Sequence, residues 1–152
     1  MSELEQLYQQ VILDHARARS GSGSVPEDIS GSSHQVNPTC GDEVTLGVDL
    51  AEDGSVKRLV WDGSGCSISQ ASLSMMSEMV VGMGTQEREH LAETFSRMMH
   101  SRGAELSEDD LDELADAAAL SGASKFPARV KCALLGWMAL RDAIATAETK
   151  ES

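Results

Sequence analysis

The period of the hydrophobic pattern changes once along this chain, and that change constrains the fold more than any other feature. In residues 43–50 the apolar side chains alternate, as in a strand with one buried face: Val44, Leu46, Val48 and Leu50. Residues 56–61 form a second β-branched, apolar segment, and Asp53-Gly54 between the two segments predicts an antiparallel hairpin. From Ser67 onward the period is helical. Because a lone hairpin is only marginally stable, we expect helices to pack on one of its faces.

Five helices are predicted around the hairpin. The first follows a capping box, Ser2-x-x-Glu5, and runs to about residue 18. Glycines near residues 82–84 and 103 end the second and third helices. The fourth is short and acidic, and a proline at the first position opens the last helix. The predicted starts are Ser2, Ser67, Thr85 (as a cap), Ser107 and Pro127.

The chain is expected to form a single domain over residues 1–152. That length suffices to bury a core, and the sequence has neither an internal repeat nor a linker long enough to separate two domains. Residues 20–33 are rich in Gly and Ser and predict a flexible loop.

Charge and cysteine content exclude several functional classes. The formal net charge of −13 repels phosphate backbones and anionic lipid, so neither nucleic acid nor a membrane is an expected partner, whereas a protein with a basic docking face is compatible. No run approaches the roughly 18 apolar residues of a membrane span. The first ten residues are acidic and polar, unlike a signal or transit peptide. Three cysteines cannot all pair within one chain, so we expect reduced thiols and a cytoplasmic location.

Each cysteine lies at a predicted joint between secondary-structure elements. Cys40 precedes the first strand, Cys66 lies between the second strand and a helix, and Cys132 falls in the first two turns of the last helix. In an extended segment residues i and i+2 point to the same side, so Cys40 and Asp42 can face one ion together. The alternative is that the segment around Cys40 is only a turn leading into a strand.

The other two cysteines also allow two interpretations each. A thiol at the start of a helix meets the positive end of the helix dipole, which favours the thiolate of Cys66. A phosphate-binding loop is the weaker alternative there, because no Lys follows and the glycines do not match a nucleotide fingerprint. Cys132 lies on a helix that is apolar nearly all round, so it is either a functional thiol or a plain buried cysteine. Arg129, three residues earlier, can line the same pocket or be a solvated surface residue.

Three thiolates and one carboxylate form a complete tetrahedral ligand set for zinc, which accepts mixed sulfur and oxygen ligands. The spacing is not that of a CxxC zinc ribbon, so the pattern is less specific than such a motif. A carboxylate among thiolates should make the site more exchangeable than an all-cysteine structural site. His34 is near enough to Cys40 in sequence to be a ligand, although its loop position favours exposure.

Four segments, in the same order over nearly the whole chain, resemble the SufU branch of the IscU/NifU-N family. They are Leu7-Tyr8 with Asp14-His15, NPTCGD at 37–42, GCSIS at 65–69 and RVKCALLGW at 129–137. The resemblance implies an α+β fold in which a small antiparallel sheet of about three strands is covered by helices. It also implies a helical insertion near residues 103–122.

The same resemblance implies roles for five residues. Cys40, Asp42, Cys66 and Cys132 would be metal ligands, Cys40 would also accept sulfur, and Arg129 would lie beside the site. The implied partner is a SufS-type, pyridoxal-phosphate-dependent cysteine desulfurase within the iron–sulfur cluster assembly machinery. Its docking would displace Cys40 from zinc, and the freed thiolate would attack the outer sulfur of the desulfurase persulfide.

Departures from the family pattern separate its branches. IscU-type scaffolds carry a His immediately before the third cysteine and a Leu-Pro-Pro-Val-Lys segment that binds a chaperone. This chain has Lys131 at the first position and FPARVK at 126–131. After Asp14-His15 it also lacks the Tyr and Asn-Pro-Arg of most relatives. Two alternatives to sulfur transfer remain: a scaffold on which a [2Fe–2S] cluster is assembled by the same four residues, and a purely structural zinc domain.

Overall fold

A three-stranded antiparallel sheet forms the centre of the molecule. In the computed structural model, which describes residues 2–151, the strands are β1 (Gly31–Asn37), β2 (Asp42–Leu50) and β3 (Val56–Ser64). They follow one another in space in the order β1-β2-β3, so every connection is a hairpin or a short turn. Together with the helices described next, this arrangement confirms the predicted α+β fold with a small antiparallel sheet.

Five α-helices and one 3-10 segment surround the sheet. They are α1 (Glu3–Ala18), α2 (Ser67–Val80), α3 (Thr85–Met99), α4 (Glu108–Leu114), the 3-10 segment (Ala115–Lys125) and α5 (Pro127–Glu151). Two starts are capped as predicted, since the Ser2 hydroxyl accepts from the Glu5 N–H and the Ser107 hydroxyl accepts from the Asp110 N–H, each at 3.1 Å. The predicted cap of α3 was wrong by one residue, because Gly84 is its N-cap and Thr85 its first helical residue.

Strand β1 overlaps the end of the predicted loop at residues 20–33. Its sequence, GSSHQVN, is polar and gave no hydrophobic alternation by which to recognise a strand. It forms through its partners: β1 pairs with β2 from Gly31 opposite Val48 to Asn37 opposite Asp42, while α5 packs against it. A side chain at Gly31 would collide with the α5 backbone at Ala143, so the glycine lets the helix approach.

Residues 20–23 of the Gly/Ser-rich segment run beside Trp61 along the outer edge of β3. The Trp61 N–H donates to the Gly21 carbonyl at 3.0 Å, and the Gly23 N–H donates to the Trp61 carbonyl at 2.9 Å. The Trp61 indole donates to the Ser20 carbonyl at 2.8 Å, and the Arg19 guanidinium lies 4.7 Å from its ring centroid. These contacts cover a sheet edge that would otherwise be unpaired. The flexibility of the segment remains a prediction.

The helices bury one continuous core. Helix α5 packs on β1 and β2, and α2 contacts both α1 and α5. Trp61 and Leu46 are fully buried, and the rings of Phe95 and Trp137 stack with centroids 4.6 Å apart. Within residues 2–151 the helices are all too short or too polar to cross a membrane.

The region of the expected insertion contains α4 and then the 3-10 segment, which extends to Lys125. The sequence did not predict the 3-10 segment, because its residues, ADAAALSGASK, show no amphipathic period. Small side chains let it approach α2, α3 and α5 closely, and it buries Ala117, Ala118, Leu120 and Ala123 there.

Candidate metal centre

A tight turn between β1 and β2 places the first two candidate ligands. The Asn37 carbonyl accepts from the N–H groups of Cys40, at 3.3 Å, and Gly41, at 2.9 Å. Gly41 has a φ of +73°, a conformation that glycine adopts without strain. The chain therefore leaves Cys40 exposed at the tip of the turn and brings Asp42 into β2, where it is completely buried.

The joint between β3 and α2 closes over Asp42 from the other side. Cys66 is the N-cap residue of α2, and its N–H donates to Asp42 Oδ1 at 2.9 Å. The Ser69 hydroxyl lies 3.3 Å from the same oxygen. A side chain at Gly65 would overlap Asp42 Oδ1, so the passage needs glycine. Oδ1 accepts the Cys66 N–H, and Oδ2 is the oxygen that faces the thiols.

Helix α5 brings the third cysteine to the same place. The ligand atoms of Cys40, Asp42 and Cys132 all lie within 4.8 Å of one another. Cys132 is buried, with 2 % of its surface exposed, so it is a buried cysteine that also faces the other two residues. Cys66 lies outside that closest group, but its sulfur is 4.0 Å from Asp42 Oδ2. The three joints thus meet at one end of the sheet.

The environment of Cys132 strongly disfavours an isolated thiolate. Burial raises the pKa of Cys132, and hydrogen bonding with Asp42, Cys40 and Cys66 raises this pKa further. A bound cation would reverse that preference, because it stabilises thiolate and carboxylate together. Three sulfurs and one free carboxylate oxygen suit a borderline-soft cation that accepts tetrahedral coordination, and zinc is such an ion.

A groove open to solvent leads to this cluster. It has a volume of about 1180 Å³ and is lined by residues of α1 and of the 103–126 region, together with Cys40, Cys66, Cys132 and Arg129. The Arg129 guanidinium stacks 4.7 Å from the centroid of the Phe126 ring, at the rim of the groove. His34 is not part of the cluster: its Nε2 pairs with Glu43 Oε1 at 2.7 Å on the surface.

Two residues of the centre were not singled out from the sequence. Asn37 is buried and its Nδ2 lies 3.9 Å from Cys132 Sγ, while Ser69 supports Asp42 as described above. Both belong to segments that drew attention for their cysteines. Asn37 was interpreted only as part of a turn, because its contact with Cys132 spans 95 positions along the chain.

Comparison with known proteins agrees with this architecture. The NifU-like N terminal domain family model matches residues 7–133. The chain is 40% identical over 147 residues to the zinc-dependent sulfurtransferase SufU of Bacillus subtilis (strain 168), covering 97% of this chain and 95% of that protein. It is 38% identical over 144 residues to the iron–sulfur cluster assembly scaffold protein IscU of Streptococcus pyogenes serotype M1, covering 95% of this chain and 86% of that protein.

The fold also matches a solved structure. The putative iron–sulfur cluster assembly scaffold protein for the SUF system from Fervidobacterium islandicum AW-1 superimposes with a TM-score of 0.76 at 31% identity. The superposition covers 91% of this chain and 97% of that one. The family match, the two relatives and the shared fold lead to one conclusion: this chain belongs to the NifU-like N-terminal domain family.

Proposed function

We propose that this protein accepts sulfur from a cysteine desulfurase on Cys40, at a zinc site formed by Cys40, Asp42, Cys66 and Cys132, for iron–sulfur cluster assembly. One observation carries the proposal: an exposed thiol lies within 4.8 Å of a buried carboxylate and a buried thiol. The relative from Bacillus subtilis, named a zinc-dependent sulfurtransferase, supports the same function.

The ligand set suits both retention and exchange. When bound, zinc would keep the thiols deprotonated at neutral pH and link the three joints. Asp42 and Cys132 are buried, so they would stay in place, whereas Cys40 is exposed on a turn and can leave the ligand set when a partner docks. Cys66 is also exposed, but the bond from its N–H to Asp42 anchors its backbone, so its sulfur would stay on the zinc.

The transfer step needs only the Cys40 thiolate and the persulfide of the partner. Cys40 Sγ attacks the outer sulfur of the desulfurase persulfide, and a new S–S bond forms on Cys40. The old S–S bond breaks, and its electron pair leaves with the desulfurase cysteine as a thiolate. The step is redox-neutral and requires no further reactant. The groove at Cys40 gives the partner access to this sulfur.

The proposed partner is a SufS-type, pyridoxal-phosphate-dependent desulfurase. A net charge of −13 favours a partner with a basic docking face. Free thiols at the site require a reducing compartment, for which we propose the cytoplasm.

A second candidate function uses the same residues. The relative from Streptococcus pyogenes is named a cluster assembly scaffold, so the four residues could hold a [2Fe–2S] cluster during its assembly. Metal content separates the two functions. A colourless protein with one zinc per chain, purified from its own host, supports sulfur transfer; a brown protein with a labile cluster supports the scaffold.

Desulfurase turnover with and without this protein tests the proposal directly. Wild type should stimulate turnover and gain the mass of one sulfur atom on Cys40. Cys40→Ala should do neither, because the attacking sulfur is gone. Thr39→Ala, a change at the neighbouring exposed residue, is the matched control and should behave as wild type.

Zinc content of each variant completes this test. Cys40→Ala keeps three of the four proposed ligands, so residual zinc would show that the site still forms. If Cys40→Ala stimulates the desulfurase as well as wild type, the transfer role of Cys40 is wrong.

A further inference from the structure

Asn37 contacts three of the four candidate ligands. Its carbonyl closes the turn that carries Cys40, and it stands opposite Asp42 in the β1–β2 ladder. Its side-chain Nδ2 lies 3.9 Å from Cys132 Sγ, within the longer reach of hydrogen bonds to sulfur. A single residue at the end of β1 therefore connects the turn, the sheet and α5.

The burial of this amide needs a partner to offset its cost. Asn37 is 6 % exposed, and a buried amide without a hydrogen bond destabilises the folded state. The amide nitrogen can only donate, so Cys132 Sγ is the acceptor of this bond. The bond offsets the burial of the amide and fixes the position of the sulfur.

The surroundings of the Cys40 sulfur differ from those of the Cys132 sulfur. The Cys40 sulfur lies 3.8 Å from the carbonyl oxygen of Ala128, and a carbonyl oxygen cannot donate to a thiolate. Cys132 is buried and has an N–H donor beside its sulfur, whereas Cys40 is exposed at the tip of a turn. These two sulfurs therefore differ in how firmly their surroundings hold them in place.

We propose that Asn37 is a positioning residue that holds Cys132 as the permanent sulfur ligand through an Nδ2–H···Sγ bond, and so leaves Cys40 as the sulfur that is exchanged. This inference rests on the proposed zinc site. It goes beyond that site by naming the residue that distinguishes a retained thiolate from a transferable one. Donors of this type, which bond to a ligand and not to the metal, are known to tune metal affinity.

The test uses the full chain loaded with zinc or with cobalt(II), as wild type, Asn37→Leu and Asn37→Ala. Leucine keeps the volume of asparagine but has no donor; alanine leaves space instead, so a packing effect and a hydrogen-bond effect can be separated. Gln35→Met is the matched control. Gln35 lies on the same face of β1, and its amide binds Asp142 at 2.8 Å, away from the cysteines.

Two readouts are expected to change. Competition with a chromophoric chelator should show zinc affinity weakened about 10- to 100-fold in both Asn37 variants, the range typical when a partner of a metal ligand is removed. The sulfur-to-cobalt charge-transfer band should shift to lower energy in both, because a thiolate without its donor gives up electron density more easily. Gln35→Met should change neither readout.

Each other outcome has a definite meaning. If wild type shows no sulfur-to-cobalt band, the zinc site itself is wrong, and the proposed function fails with it. If wild type shows the band and the Asn37 variants keep its energy, the hydrogen bond does not act on the sulfur. That result overturns this inference, even with weakened zinc affinity, and leaves the proposed function standing.

Discussion

Two carboxylates of this protein, Asp42 at the candidate metal centre and Glu113 in α4, differ in the partners of their two oxygens. In Glu113 both oxygens are occupied: Oε2 pairs with His90 Nδ1 at 2.5 Å, and Oε1 accepts from the Thr94 hydroxyl at 2.6 Å. In Asp42, Oδ1 accepts from the Cys66 N–H at 2.9 Å and lies 3.3 Å from the Ser69 hydroxyl, which is closer to the Cys66 carbonyl at 3.0 Å. The other oxygen meets the Cys66 sulfur at 4.0 Å.

This difference separates a residue that joins two helices from one that can bind a ligand. Both oxygens of Glu113 bond to residues of α3, and its side chain is partly exposed. Its contribution to stability is therefore structural and screened by solvent. Asp42 is held rigidly through one oxygen and keeps the other available in a buried site. A fixed carboxylate whose second oxygen faces thiols is suited to a cation that binds sulfur and oxygen together.

Removing the charge of each carboxylate should give the largest difference in zinc affinity between two variants. Asp42→Asn keeps the shape and an oxygen to accept from Cys66 and Ser69, but it turns an amide donor toward the thiols. We expect the variant to stay folded but to bind zinc more than roughly 100-fold more weakly. That figure is the upper range for losing a residue that only supports a metal ligand, and Asp42 is proposed to be a ligand itself. Glu113→Gln should bind zinc as wild type does. Chelator competition on both variants measures this.

The opposite result would contradict the distinction drawn between Asp42 and Glu113. If Asp42→Asn retained wild-type zinc affinity while unfolding at a lower temperature, Asp42 would be a buried structural carboxylate like Glu113. The free oxygen would then have no functional meaning.

Two glycines test how tightly Asp42 is held. Alanine at Gly65 would overlap Asp42 Oδ1 and would also have to adopt a φ of +155°, whereas alanine at Gly41 meets no atom within 4 Å but must adopt a φ of +73°. We expect Gly65→Ala to lower the free energy of unfolding by about 1 to 3 kcal/mol through overpacking and backbone strain together, and Gly41→Ala by about 1 to 2 kcal/mol through backbone strain alone. Only Gly65→Ala should also weaken zinc binding, because it displaces the carboxylate.

Denaturant unfolding of the metal-free proteins and zinc competition separate the two effects. Equal loss of zinc affinity in Gly41→Ala and Gly65→Ala would show that Asp42 moves freely, contrary to the contacts that fix it.

The sequence revealed those parts of the site that depend on local structure. Cys66 begins a helix, as its position predicts. Cys40 and Asp42 do face one place, but the predicted extended segment was wrong: a turn carries Cys40, and β2 begins only at Asp42. The strong alternation in β2 predicted the sheet. These features depend on neighbours a few residues apart, and such neighbours are visible in a linear pattern.

The remaining parts depend on contacts across the chain. Helix α5 is apolar on nearly every side, so its pattern could not decide which face holds Cys132; only packing on β1 and β2 turns that face to Asp42. The polar strand β1 exists because β2 and α5 flank it. Asn37 could not be singled out for the same reason, since its contact with Cys132 forms where the end of β1 meets α5.

The smallest expected effect concerns the pH dependence of the α3–α4 contact. The hydrogen bond with Glu113 raises the pKa of His90 above 6.5. In Glu113 burial acts to raise the pKa, but hydrogen bonds from Thr94 and His90 outweigh it and leave the pKa below 4.5. The His90 contribution is fully present below pH 6.5 and is lost as pH rises through its raised pKa. The Glu113 contribution is present above pH 4.5 and is lost at lower pH.

His90→Gln should therefore reduce the melting temperature slightly, and most between about pH 4.5 and 6.5, where both charges of the folded pair are present. The difference from wild type should shrink at higher pH, where His90 loses its charge, and in high salt, since the His90 side chain is largely exposed. His100→Gln is the matched control, because His100 bonds within its own helix, to Ser96. If the difference in melting temperature persisted at high pH and high salt, His90 would act through packing. The ion pair with Glu113 would then not contribute to stability, and the comparison with Asp42 would fail.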